Sequence, residues 1–132
     1  MEFSLDRFKI AHVRDYEIKA GKKESHWMWY IFPQILGLGH SMDAMYYAIQ
    51  NKAEAVAYWE DPVLSRHLIE ISRELLKLDD SINRIMGYPD NLKLKSCMTL
   101  FYLVSNAQIF KDVLDKFFHG EMDCFTVNKL SQ

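Results

Sequence analysis

The sequence predicts an all-α protein, a compact bundle of seven to nine short helices forming one domain over residues 1–132. Two observations carry that prediction. Apolar residues recur at spacings of three and four along nearly the whole chain, and no stretch alternates in the manner of a half-buried strand. Ser, Asn or Asp stands just ahead of most of these stretches, with Gly or Pro behind, as expected of capped helices. A chain of 132 residues with 49% hydrophobic content buries a core without disulfides or metals.

From Phe3 to about Ala20, Leu5, Phe8, His12, Tyr16 and Ile18 fall on helical spacing, as two helices bent near Ala11–Val13. Gly21 ends this region, and Lys22 and Lys23 sit where a helix C-terminus favours positive charge. Ser25 caps a short helix that Pro33 terminates. Gly37-Leu38-Gly39-His40-Ser41 is a turn, and Ser41 caps a helix over Met42 to Gln50. Asn51 caps Lys52 to Glu60. Asp61-Pro62 then restarts the chain with Pro in the first turn, and the longest amphipathic helix runs to Leu78.

Ser81 caps a brief helix ending at Gly87, and Pro89-Asp90 opens an apolar helix to about Val104. Asn106 begins the next, which carries Ile109, Phe110, Leu114, Phe117 and Phe118 down to Gly120. Asp123 starts a last turn or two. The residues expected in the core are Leu68, Ile71, Leu75, Leu100, Leu103, Phe110 and Leu114.

Charge and composition exclude several classes of function. A formal net charge of −2 supplies no field that would draw the chain onto nucleic acid or an anionic membrane, so neither is expected as a partner. Apolar runs are broken well before the length of a membrane span. The first seven residues lack the basic-then-apolar order of a secretory signal, and Cys97 and Cys124 show no CxxC or ligand spacing. A cytoplasmic protein with reduced thiols is therefore expected. His12, His26, His40, His67 and His119 are scattered without HxxxH or HExxH, so no metal and no cofactor is expected. There is no GxSxG nucleophile elbow, and the Gly37–Ser41 turn lacks the Gly-Lys-Ser/Thr of a P-loop.

Chemistry concentrates in two blocks. The first is Ser25-His26-Trp27-Met28-Trp29-Tyr30-Ile31-Phe32-Pro33-Gln34. His26 falls in the first turn of its helix, where the dipole favours the neutral imidazole, a form suited to general acid–base work. Trp27, Trp29 and Tyr30 offer aromatic faces on which a flat ligand stacks, with Gln34 and, further on, Tyr47 beside them. The plainer structural reading is a core histidine among packed rings. The second block is Asp90, Asn91, Lys93 and Ser96 at a helix start, a polar cluster suited to phosphate or carboxylate. Lys95 lies about 200° round the helix from Lys93 and shares its face with Met98 and Thr99. Here the plainer reading is a helix cap and a surface lysine.

Taken together, His26-Trp27-Met28-Trp29-Tyr30-Ile31-Phe32-Pro33-Gln34 and Pro89-Asp90-Asn91-Leu92-Lys93-Leu94-Lys95-Ser96-Cys97-Met98-Thr99-Leu100-Phe101 carry a resemblance. The chain resembles domain-of-unknown-function family 1810, a bacterial group of small all-helical proteins. The likeness extends through Gly37-Leu38-Gly39, Ser41, Ala44, Tyr47, Glu54-Ala55, Pro62, Gly87, Gly120, Asp123 and Thr126. Members usually have Ser-Ser where this chain has Ser96-Cys97. The resemblance implies the helical fold and brings no established activity.

Two functions follow as expectations. The first is a pocket for an anionic or nucleotide-like small molecule, with Trp27, Trp29, Tyr30, Gln34, Tyr47, Asp90, Asn91, Lys95, Ser96 and Thr99 as binding residues. In a hydrolase or transferase built on that pocket, acting at a glycosidic or phosphoryl bond, His26 moves the proton and Lys93 or the Asn91–Ser96 cluster holds the anion. The two are expected to meet across 67 positions of sequence. The second is a non-catalytic module whose exposed Trp/Tyr-rich face anchors a protein partner.

Overall fold

The computed structural model describes residues 32–38 and 42–131. Along them run α1 (Met42–Tyr46), α2 (Lys52–Glu60), α3 (Pro62–Leu76), α4 (Ile82–Ile85), α5 (Asp90–Ser105), α6 (Gln108–Phe118) and α7 (Cys124–Leu130). Seven to nine full helices are not found among the described residues. The segment Ile82–Ile85 is a single four-residue turn, which leaves six. The fold is all-helical and compact, with no strand among the described residues beyond an isolated bridge between Ile35 and Ile49.

Side-chain caps start α2, α3, α4 and α7, while α5 and α6 begin without one. The Asn51 side chain accepts the Glu54 N–H at 2.9 Å, while Glu54 Oε1 reaches back to the Gln50 N–H at 2.9 Å, a reciprocal pair close to a capping box. Asp61 Oδ1 accepts from the Val63 and Leu64 N–H groups at 3.0 and 3.1 Å, with Pro62 at the first helical position. Asp123 caps α7 by accepting from the Thr126 N–H at 2.9 Å and the Thr126 hydroxyl at 2.6 Å.

Helix α5 is the axis of the molecule: it packs against α2, α6 and α7, while α3 packs against α2 and α6. Leu94, Cys97, Met98, Leu100 and Phe101 are all fully buried and point several ways round it, as in a helix enclosed by neighbours. The polar residues on α5 satisfy themselves locally. The Ser96 hydroxyl donates to the Leu92 carbonyl at 3.1 Å, and that of Thr99 to the Lys95 carbonyl at 2.8 Å. Tyr58, Phe101 and Phe110 pack through the centre as tilted rings, with centroids 5.1 and 6.2 Å apart. Burial pushes the Tyr58 hydroxyl and the Cys97 thiol well above their ordinary pKa values.

Leu68, Ile71, Leu75, Leu100, Phe110 and Leu114 are core residues, as their spacing predicts. Leu103 is not. It is 37% exposed although Ser96, Thr99 and Leu100, on the same face one and two turns earlier, are buried, because it stands in the last turn of α5, beyond the covered stretch 96–101.

Two boundaries also differ from expectation. Asn106 does not start a helix: it ends α5 in the left-handed conformation, φ 58°, which Asn tolerates, and Ala107 precedes α6. The helix expected to reach Gln50 stops at Tyr46. Beyond it Ile49 pairs with the segment after Pro33, donating to the Gln34 carbonyl and accepting from the Leu36 N–H, both at 2.8 Å. Hydrogen bonds to residues so distant in sequence leave no trace in local periodicity.

Candidate functional site

Helical geometry places Pro89, Leu92, Lys93 and Ser96, at spacings of three and four, on one stripe of α5. This stripe floors a cavity of about 360 Å³ whose other walls, among the described residues, are Gln34, Leu38 and Asp123. Each wall is fixed by a separate device. The bridge to Ile49 holds Gln34 in place, and only 4% of that residue is exposed. Gly37, at φ 112°, lets the chain turn so closely over α7 that a Cβ there would stand 2.9 Å from the Phe125 ring. Asp123 is tied to α5 by its own N–H, which donates to the Thr99 hydroxyl oxygen at 2.9 Å.

The polar equipment is compact. Lys93 Nζ lies 3.1 Å from Asp90 Oδ1, an ion pair one helical turn long with side chains only 21% and 11% exposed. The Gln34 amide donates to the Phe32 carbonyl at 3.3 Å. The hydroxyl proton of Ser96 goes to a backbone carbonyl, which leaves its oxygen to accept from another donor. Cys97 is adjacent in sequence yet wholly buried, and its raised pKa keeps the thiol protonated, so it is no nucleophile.

Gln34, Lys93 and Ser96 thus lie on one cavity, with Asp90 at its lysine. Four other candidates are directed elsewhere. The Asn91 side-chain NH₂ donates to Asn83 Oδ1 at 2.8 Å and lines a separate cavity of about 380 Å³ with Lys116 and Phe117, because it is rotated about 200° from Lys93. Lys95 reaches Glu121 Oε2 at 3.4 Å. Thr99 is fully buried and holds Asp123 rather than facing the cavity. Tyr47 is half-buried with its ring 4.8 Å from that of Tyr46, away from the described lining. His26, Trp27, Trp29 and Tyr30 lie outside the described residues.

Sequence reasoning misses Asp123, Leu38, Pro89 and Leu92 as lining. The 89, 92, 93, 96 spacing is available in the sequence. Asp123 shows there only as a cap, and the same residue also lines the cavity.

Among the described residues no group of three or more His, Cys, Asp and Glu side chains is arranged to hold a metal, and no helix is long and apolar enough to cross a membrane. No curated protein matches the chain. Among solved structures, the crystal structure of the conserved hypothetical protein Rv1873 from Mycobacterium tuberculosis is similar at 40% sequence identity, with a TM-score of 0.93 over 98% of each chain. Residues 2–130 match the model of the DUF1810 family, described as a protein of unknown function, and the chain belongs to that family.

Proposed function

We propose that the cavity along α5 binds a small polar metabolite whose anionic group is taken by Lys93. The observation that carries this reading is the joining of Gln34, the end of the aromatic block, with Lys93 and Ser96 in one concavity. Its volume of about 360 Å³ is at the small end of ligand sites, suited to a metabolite rather than a dinucleotide. Leu38, Pro89 and Leu92 supply the apolar wall such sites use, and a few convergent polar groups supply orientation. Asp90 holds the lysine extended along the helix before any ligand arrives, lowering the ordering cost of binding. His26 is the proton carrier in a catalytic version of this reading, acting in hydrolysis or transfer at a glycosidic or phosphoryl bond. The test is thermal denaturation with phosphate-bearing metabolites. They should raise the melting temperature of the wild-type protein, and Lys93→Ala and His26→Ala should abolish the shift without altering the circular dichroism spectrum. A shift that survives Lys93→Ala removes this cavity from consideration.

A second reading rests on Met42, Met45 and Tyr46, which are 88%, 55% and 61% exposed and lie at i, i+3 and i+4 on α1. That cluster suits a protein partner better than a metabolite. A Met42→Ser/Met45→Ser variant that loses a partner bound by the wild type, yet keeps the metabolite-induced shift, would separate the two.

A further inference from the structure

We infer that the occupant of the α5 cavity carries hydroxyl or N–H donors besides its anionic group, and that Asp123 receives them; a sugar phosphate is the chemical class that fits. The inference rests on the metabolite reading above and goes beyond it, because Lys93 alone would accept any small anion. The balance of charge at the cavity argues against a bare one. Among the described residues its lining carries one cation, Lys93, which Asp90 already pairs, and one further carboxylate, Asp123. An anion without donors meets a lysine already paired and a second carboxylate that repels it. A polyol carrying a phosphate turns that second carboxylate from a penalty into an acceptor, since ionised Asp accepts and never donates.

The placement fits this use. Asp123 is anchored at Thr99, six residues from Lys93 along α5, or about 9 Å of helix, so its backbone is held further along the helix than that of the lysine. Ser96 and Gln34 lie on the cavity with them. The Asp123 carboxylate commits Oδ2 to the α7 cap, where it accepts from the Thr126 N–H and hydroxyl, which aims the group without using all of its acceptor capacity. Gln34, buried to 4% exposure, adds an amide that both donates and accepts.

Asn caps helices about as well as Asp, so Asp123→Asn keeps α7 while removing the charge, and Asp123→Ser is the second cap-competent variant. Isothermal titration of the full chain with ribose 5-phosphate and with inorganic phosphate separates the possibilities. The wild type should bind ribose 5-phosphate at least about tenfold more tightly than phosphate, the scale of a hydrogen bond to a charged group. Asp123→Asn should weaken ribose 5-phosphate and tighten phosphate, a response of opposite sign for the two probes. Equal wild-type affinities that both vanish in Lys93→Ala would overturn the role of Asp123 and leave the metabolite reading standing. Binding of neither probe would overturn both. A sugar phosphate that binds Asp123→Asn and Asp123→Ser as tightly as the wild type places the hydroxyls elsewhere and ends the inference.

Discussion

The Thr99 hydroxyl oxygen accepts the backbone N–H of Asp123 at 2.9 Å, joining the middle of the central helix to the start of the last one. The same hydroxyl passes its proton to the Lys95 carbonyl at 2.8 Å, so one fully buried side chain is satisfied on both sides. Thr99→Val keeps the shape and strands the Asp123 N–H. The expected loss is about 1–3 kcal/mol in urea denaturation, with Thr99→Ser recovering most of it. Equal stability of the valine variant and the wild type would show that water replaces the bond at no cost.

Leucines on α3 and α5 should separate sharply by burial. Leu75→Ala and Leu100→Ala, each at a fully buried position, should cost about 2–5 kcal/mol. Leu103→Ala, at 37% exposure, should cost less than about 1 kcal/mol. A larger loss at Leu103 than at Leu100 would mean that the last turn of α5 is covered in solution.

Much of this arrangement is legible in the sequence, for identifiable reasons. Caps at Asn51, Asp61, Ser81 and Asp123 are local signals, and each one starts the helix it predicts. Leu68, Ile71 and Leu75 declare a face because α3 is amphipathic. Helix α5 declares none, being enclosed over Leu94–Phe101, so nothing in its pattern marks Leu103 as lying beyond the covered stretch. On the cavity, Lys93 and Ser96 are legible through their common stripe. Asp123 is not, since its nearness to that stripe depends on a hydrogen bond across 24 residues. Asn91 groups with Lys93 by adjacency, although near neighbours in sequence face different ways on a helix.

Alkaline pH should destabilise the protein through two buried groups. Burial raises Cys97 above its ordinary value of 9.0 and Tyr58 above 10.0; nearby Cys97 and Asp61 add to the effect on Tyr58. Well below pH 9 both are protonated in the folded and unfolded chains, and stability is undiminished. Above it the unfolded chain releases protons that the folded one retains, so stability falls as pH rises towards the folded-state values. The urea midpoint should be lower at about pH 10 than at about pH 7, and Cys97→Ser should flatten the part of the decline that begins near the thiol's ordinary value. An identical pH profile in that variant would assign the decline elsewhere.

Gly37→Ala tests the wall over α7. The flexible tip of the Phe125 ring, 40% exposed, can swing clear of a new Cβ, whereas a φ of 112° is strained for any side chain. The expected cost is about 1–3 kcal/mol by thermal denaturation, and adding Phe125→Ala should recover little of it. Full recovery in the double variant would mean that the ring contact, and not the backbone, resists the substitution.

The two 2.8 Å hydrogen bonds that tie Ile49 to Gln34 and Leu36 close a loop of chain in the way a clasp does, and the cavity wall hangs on that clasp. A clasp of two bonds opens more readily than the helices unwind, since local openings span a range of free energies below that of global unfolding. Any occupant touching both Gln34 and Lys93 would bridge the two sides of the opening. At roughly a hundredfold excess over its Kd it would add about 2.7 kcal/mol to the closed state. Amide exchange at Leu36 and Ile49 would then slow more than exchange along α3, so the clasp itself would register an occupant bound several residues away.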